Sequence, residues 1–368
     1  MQVPFLDLKA QYQSLREELL AAAEEVLASS AYVAGPFVKK FEEEFAQAQR
    51  IPFCAGMSTG TDALHAAIAL LGIGHGDEVI VPANTFMATP AAVSLAGARP
   101  VFVDCEEKFF NIDVGQIEAA ITPKTKAIIP VHLFGQPARV EAVCEIAKKH
   151  GLHVIEDCAQ SHLARRNGKY TGSFGIMGCF SFYPGKNLGA CGEGGAVITS
   201  DAELHKKLHA FREHGMYKKY HHDFLGHNYR MEGIQGAFLS VKLPHLPKWT
   251  ETRRANANLY RKYLANVEQI RLPEEDEGVY HAYHLFVIRA DGRNELADFL
   301  RENGVATGIH YPIPCHLQKA YSFLNYSRGD FPVSEILAGE ILSLPMSEQL
   351  TEEQVIYVAE LIRGYYTK

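Results

Sequence analysis

Through the first two-thirds of the chain, short runs of β-branched and apolar residues alternate with longer segments whose apolar positions recur every three or four residues. No other feature narrows the fold as far. The runs at 78–81, 100–103, 127–131, 153–155, 179–182 and 196–199 read as buried strands, and 61–71, 87–96, 114–121 and 138–150 as the helices between them. Strands that are apolar along their whole length need cover on both faces, so the alternation predicts an α/β sheet with helices on either side. Helical spacing also runs through 12–27. Pro244-x-x-Pro247 punctuates the chain before another helix at 251–264, and beyond it a strand at 283–288 and helices at 294–303 and 351–365 predict a smaller α+β region. The expected division is a large domain at 1–247 and a small one at 248–368, within reach of a chain of 368 residues that is 47% hydrophobic.

Charge and cysteine usage limit the partners. A net charge of −7 without a broad basic face argues against nucleic acid, and local pairs such as Arg165-Arg166 do not amount to one. No apolar run reaches the ~18 residues that span a bilayer, so no membrane partner is expected. The opening Met-Gln-Val-Pro-Phe-Leu-Asp-Leu-Lys has no basic stretch followed by an apolar one. The seven cysteines are scattered, with no Cys-x-x-Cys pair. A cytoplasmic protein with reduced thiols is the expectation.

In an α/β sheet of this kind ligands bind at the carboxyl ends of the strands. Lys186 lies there, in Ser181-Phe-Tyr-Pro-Gly-Lys-Asn187, and is followed by the glycine-rich Gly189-Ala-Cys-Gly-Glu-Gly-Gly195. Taken singly, a loop lysine is solvated. Asp157, closing Val154-Ile-Glu-Asp157, is the residue type that keeps the ring nitrogen of a pyridine cofactor protonated, or else an ordinary helix cap. Ser58-Thr-Gly-Thr61 brings hydroxyls and backbone N–H groups to a helix N-terminus, a ready anion site or a plain cap. Phe86 could stack on a ring or fill the core. His281-x-x-His284 falls near a strand, where residues three apart face opposite ways, and His221-His222-Asp223 lacks ligand spacing. No metal is expected. There is no Gly-x-Ser-x-Gly elbow.

Five motifs taken in order, Ser58–Leu64, Glu156–His162, Ser181–Asn187, Gly192–Gly195 and Gly226–Met231, together with His310-Tyr-Pro312 and Gly329–Glu335, resemble the DegT/DnrJ/StrS sugar aminotransferases essentially end to end. The resemblance implies the aspartate-aminotransferase-like fold, pyridoxal 5'-phosphate as cofactor, and a homodimer with shared active sites. It makes Lys186 the cofactor lysine, pairs Asp157 with the ring nitrogen, sets Gln160 against the ring hydroxyl and stacks Phe86 on the ring. Thr59, Gly60, Thr61 and Ser181 would hold the phosphate, and Asn228 would reach it from the second subunit. Tyr183, His310 and Tyr311 match positions beside the sugar. The loop carrying Tyr217, Lys218 and Lys219 matches the one that meets the nucleotide diphosphate.

Around Lys186 the wording is similar to enzymes that aminate C3 of nucleotide sugars, above all dTDP-linked 3-oxo-6-deoxyhexoses, with L-glutamate as the family's amino donor. UDP-linked 3-oxo sugars and C4 amination remain alternatives, as does a non-catalytic regulator on the same fold. A hydroxyl-removing branch, in which histidine replaces the lysine, is opposed by Lys186. One departure stands out: Leu163 occupies a position where the family has glycine, just before the loop 164–169.

Overall fold

The computed structural model describes residues 1–367. A seven-stranded sheet forms from β1 (Phe53–Met57), β2 (Glu78–Pro82), β3 (Arg99–Val103), β4 (Thr125–Ile128), β5 (His153–Asp157), β6 (Met177–Ser181) and β7 (Gly195–Thr199), in the order β1-β7-β6-β5-β4-β2-β3. All its pairings are parallel except those of β7, which is antiparallel to both neighbours. In β2 the alternation shows why both faces need cover. Val79 and Val81 pack with α3 (Gly60–Leu70) and α4 (Ala88–Leu95), while Ile80 faces Ile117 of α5 (Val114–Ala120) and Val143 of α6 (Val140–His150). A third apolar cluster joins Leu15 and Leu19 of α1 (Leu8–Ser29) and Phe41 and Phe45 of α2 (Gly35–Ala48) to Phe180 and Ile198 of the sheet.

Several elements depart from the expected spans. β1 carries Cys54, Ala55 and Gly56, residues without strand preference, and is held by its ladder to β7. The run at 127–131 stops as a strand at Ile128. Pro130 has no N–H to give to a ladder, yet Val131 still makes an isolated parallel bridge to Asp157. The expected strand at 283–288 instead starts at Phe286, because Tyr283 turns with φ 44. The helix expected from 251 begins at Leu246, since Pro247 in a first turn forfeits no hydrogen bond. Helices α7 (Ala202–Arg212) and α8 (Gly233–Lys242) were not anticipated.

Toward the C-terminus, β8 (Ile270–Arg271), β9 (Phe286–Ala290) and β10 (Ile341–Leu344) form an antiparallel sheet. It packs on α9 (Leu246–Leu264), α10 (Arg293–Glu302) and α12 (Glu352–Tyr366), with α11 (Pro332–Glu340) alongside β9. Val3 joins the same core, donating to Gly304 O and accepting from Ala306 N, so the first residues of the chain lie against this sheet. Position 368 lies outside the described residues.

Leu163 adopts φ 59, the left-handed conformation that favours glycine, so the departure noted above sets a side chain where the backbone suits glycine. The loop after it is ordered as a hairpin, Arg165–Arg166 pairing with Lys169–Tyr170 and with Val279–Tyr280. Arg166 ties it down through Glu141 and Asp276, each at 2.9 Å. Among the described residues no helix is long and apolar enough to cross a membrane, and all seven cysteines are free.

Candidate active site

The carboxyl ends of β5 and β6 and the start of α3 converge on a cavity of about 780 Å³. Thr59, Gly60, Thr61, Phe86, Asp157, Gln160, Ser181, Tyr183, Lys186, His310 and Tyr311 all line it, residues that the chain separates by up to 252 positions. Close backbone approach makes this possible. A Cβ on Gly60 would lie 2.6 Å from Ser181 Cβ, and one on Gly195 would lie 2.2 Å from Thr59 O. Thr59 caps α3 by accepting from Asp62 N at 3.0 Å. Gly60 and Thr61 open α3 and line the cavity, and among the described residues their amides have no hydrogen-bond acceptor, with the helix dipole behind them.

Asp157 is buried, with Oδ2 accepting from Thr89 Oγ1 at 2.8 Å and Oδ1 from Ala159 N at 3.1 Å. Burial raises its carboxyl above the ordinary range, against the pull of these hydrogen bonds and of Lys186. Lys186 responds the other way. Burial pushes its amine down to about 8, and the Asp157 charge draws it partly back up. A buried carboxylate short of compensating charge, a helix N-terminus with free donors and a lysine poised near neutrality suit a group with a cationic ring nitrogen, an anionic phosphate and an aldehyde.

Gln160 is held at both ends, Oε1 accepting from Phe134 N at 2.6 Å and Nε2 donating to Tyr311 OH at 3.3 Å. Phe86, 52% exposed, leans on the Tyr311 ring at 5.3 Å. His310 bonds Ser343 Oγ at 2.8 Å and stacks on Phe5 at 5.7 Å, and burial lowers its pKa to about 4.

The cavity does not include Asn228, Tyr217, Lys218 or Lys219. All are exposed, Tyr217 and Lys218 on the short strand Met216–Lys218, which pairs with His221–His222, and Asn228 bridged to Glu213. The sequence reading also missed cavity residues: Phe5 and Leu6 before α1, Thr85, Glu193 and His284. Thr89 was missed as well. Its signal was present, one helical turn after Thr85, whose hydroxyl it meets at 3.0 Å.

Buried behind the site, His132, Glu156 and Cys158 bring candidate ligand atoms within 4.8 Å of one another. Glu156 spends its oxygens otherwise, accepting from the amides of Gly172, Phe174 and Gly175 at 2.7 Å and from His132 Nε2 at 2.9 Å. His132 Nδ1 accepts from Ala138 N at 3.0 Å, so the imidazole is committed too. The group buttresses the loops beneath Asp157.

A family model described as the DegT/DnrJ/EryC1/StrS aminotransferase family matches residues 13–363. A "Pleiotropic regulatory protein" of Geobacillus stearothermophilus is 48% identical over 100% of this chain and 99% of its own. A UDP-N-acetyl-3-dehydro-alpha-D-glucosamine 3-aminotransferase of Acidithiobacillus ferrooxidans is 45% identical over 98% and 97%. The dTDP-3-amino-3,4,6-trideoxy-alpha-D-glucose transaminase of Streptomyces venezuelae is 44% identical over 99% and 96%. Among solved structures, S. venezuelae DesV in complex with a ketimine intermediate superposes with a TM-score of 0.98 at 43% identity, covering 100% of this chain and 99% of that one. Sequence and fold agree, and the chain belongs to the DegT/DnrJ/EryC1/StrS aminotransferase family.

Proposed function

We propose that this pyridoxal-phosphate-dependent aminotransferase places its amine on C3 of a nucleotide-linked keto-sugar, a dTDP-linked 3-oxo-6-deoxyhexose, with L-glutamate as donor. The observation that carries the reading is Lys186 and Asp157 in one cavity with the open N-terminus of α3. The names of two relatives, one acting on a UDP-linked and one on a dTDP-linked sugar, both put nitrogen at C3, which supports the position. The name of the Geobacillus relative raises a regulatory reading. A binding protein would gain nothing from a buried lysine set against a carboxylate, which favours catalysis.

When bound, pyridoxal phosphate supplies an electron sink for the bond to the donor's α-hydrogen. Asp157, locked by Thr89 and Ala159, would hold the proton at the ring nitrogen. Gln160 would meet the ring hydroxyl and Phe86 the ring face. Thr59, Gly60, Thr61 and Ser181 would take the phosphate, joined by Asn228 from the second subunit of a homodimer. Lys186 would carry the cofactor and, once its amine is free, move a proton between the donor α-carbon, the cofactor and the sugar carbon. Tyr183, His310 and Tyr311 would orient the sugar, while Tyr217, Lys218 and Lys219 meet its diphosphate across the dimer. In this scheme residues 1–247 form the cofactor domain, and 248–368 form a small domain that supplies His310 and Tyr311.

The test is incubation with L-glutamate and a panel of dTDP- and UDP-linked 3-keto and 4-keto sugars, locating the new amine by NMR. An amine on C3 of the dTDP sugars is expected. Amination of 4-keto sugars alone would reject the reading.

A further inference from the structure

His281-x-x-His284 has no part in the scheme above, and its two histidines do different work. His281 Nδ1 accepts from Tyr283 N at 2.9 Å, and its ring stacks on Tyr283 at 3.9 Å, which shapes the turn before β9. His284 instead lines the same cavity as Lys186. Its tautomer follows from a chain of contacts. Asn187 Nδ2 donates to Ala282 O at 2.8 Å, so the amide cannot flip without setting two carbonyl oxygens against each other, and its Oδ1 faces His284 Nδ1 at 3.2 Å. Asn187 Oδ1 can only accept, so the His284 proton sits on Nδ1. Nε2 is left as a bare lone pair in a residue that opens onto the cavity.

We propose that His284 is a positioning residue whose Nε2 accepts a hydrogen bond from the freed amine of Lys186, aiming the nitrogen that moves the proton. The lysine and Asn187 are neighbours in sequence, so the turn that presents the amine also orients the ring that receives it. Burial, helped by the Lys186 charge, keeps the imidazole pKa well below its ordinary value and the ring neutral, so Nε2 stays an acceptor while the amine titrates. The other titratable groups facing this pair are Asp157, His162, His310 and Arg253, with Tyr183, Tyr311 and Glu193 around the cavity wall.

The inference rests on Lys186 being the cofactor lysine, and the experiment separates the two. Full-length protein freed of cofactor is mixed with pyridoxal phosphate across a pH series. The rate of capture gives the apparent pKa of the capturing amine, and borohydride reduction with peptide mapping identifies the lysine. His284→Phe should lower that pKa by about one unit, because the ammonium loses an acceptor. His284→Gln, with Oε1 near the place of Nε2, should restore it. His284→Leu gives the same comparison if the phenylalanine variant does not fold. An unchanged pKa in the apolar variants, or an equal fall in the glutamine one, overturns the role of His284. Label on a different lysine overturns the reading of Lys186 itself.

Discussion

The chemistry at the residue scale turns on two buried charges that burial moves in opposite directions. Asp157→Asn keeps the shape of the side chain and removes its charge. Opposite charges ~4 Å apart at an effective dielectric of ~20 attract by about 4 kcal/mol. The variant should therefore retain cofactor through Lys186 and the phosphate site yet lose turnover by up to about a thousandfold. Single-turnover rates close to those of the native protein would remove Asp157 from its role. Lys186 makes a separate prediction. Its amine stands at about 8 in the fold against 10.5 in the open chain, so cofactor capture should rise with pH and level off above about 8. In Asp157→Asn the inflection should move to lower pH, because the carboxylate is what raises it. Below about 8 both folded and unfolded chains carry the proton, and the fold bears the burden of a buried ammonium, which fades as pH rises toward 10.5. Lys186→Met should accordingly raise the melting temperature of cofactor-free protein at pH 7, and the gain should disappear above 10.5.

At the scale of elements, the site depends on how closely α3 rests on β6. Gly60→Ala sets a methyl 2.6 Å from Ser181 Cβ, so the helix must withdraw, at a cost of roughly 1–3 kcal/mol. Thermal unfolding and a fluorescence titration of cofactor should both weaken; a normal cofactor affinity would show that the helix start is not the phosphate site. Glu156→Gln tests the buttress under β5. One amide N–H would then confront backbone N–H groups that now find a carboxylate, a loss of about 1–3 kcal/mol in unfolding free energy by urea titration. These contacts explain the uneven legibility of the elements. β2, β3 and β5 carry their own apolar signature. β1 does not, because Cys54, Ala55 and Gly56 become a strand only by pairing with β7. The run at 127–131 showed the reverse, a strand-like composition ended by Pro130.

For the whole molecule, the separation of Asn228, Tyr217, Lys218 and Lys219 from the cavity of their own chain is the central fact. If a second copy delivers them, mixing Lys186→Ala with Asn228→Ala protein should restore some native sites. Absence of any recovery in verified mixed dimers would argue that each site is built from one chain. The double variant Lys218→Ala/Lys219→Ala should mainly raise KM for the nucleotide sugar and spare the amino-donor half of the reaction. Equal impairment of both halves would return these lysines to the solvated surface.

What the chain alone determined was whatever local pattern can encode. The apolar period foretold the α/β sheet, Pro184-Gly185 and the glycine run marked a lysine at a strand end, and the motifs from Ser58 to Gly329 announced the family. Phe86, Asp157 and Lys186 were picked out by their chemistry and their neighbours in sequence, and Gln160 by the family resemblance; all four line the one cavity. The tertiary structure alone decided the rest. Phe5 and His284 belong to segments whose local sequence describes only a chain start and a turn. They reach the cavity because Val3 docks on the C-terminal core and Asn187 reaches across to Ala282, while α4 sets Thr89 against Asp157 from outside it. Contacts between residues this far apart depend on packing and hydrogen-bond closure in three dimensions, which no periodicity along the chain records.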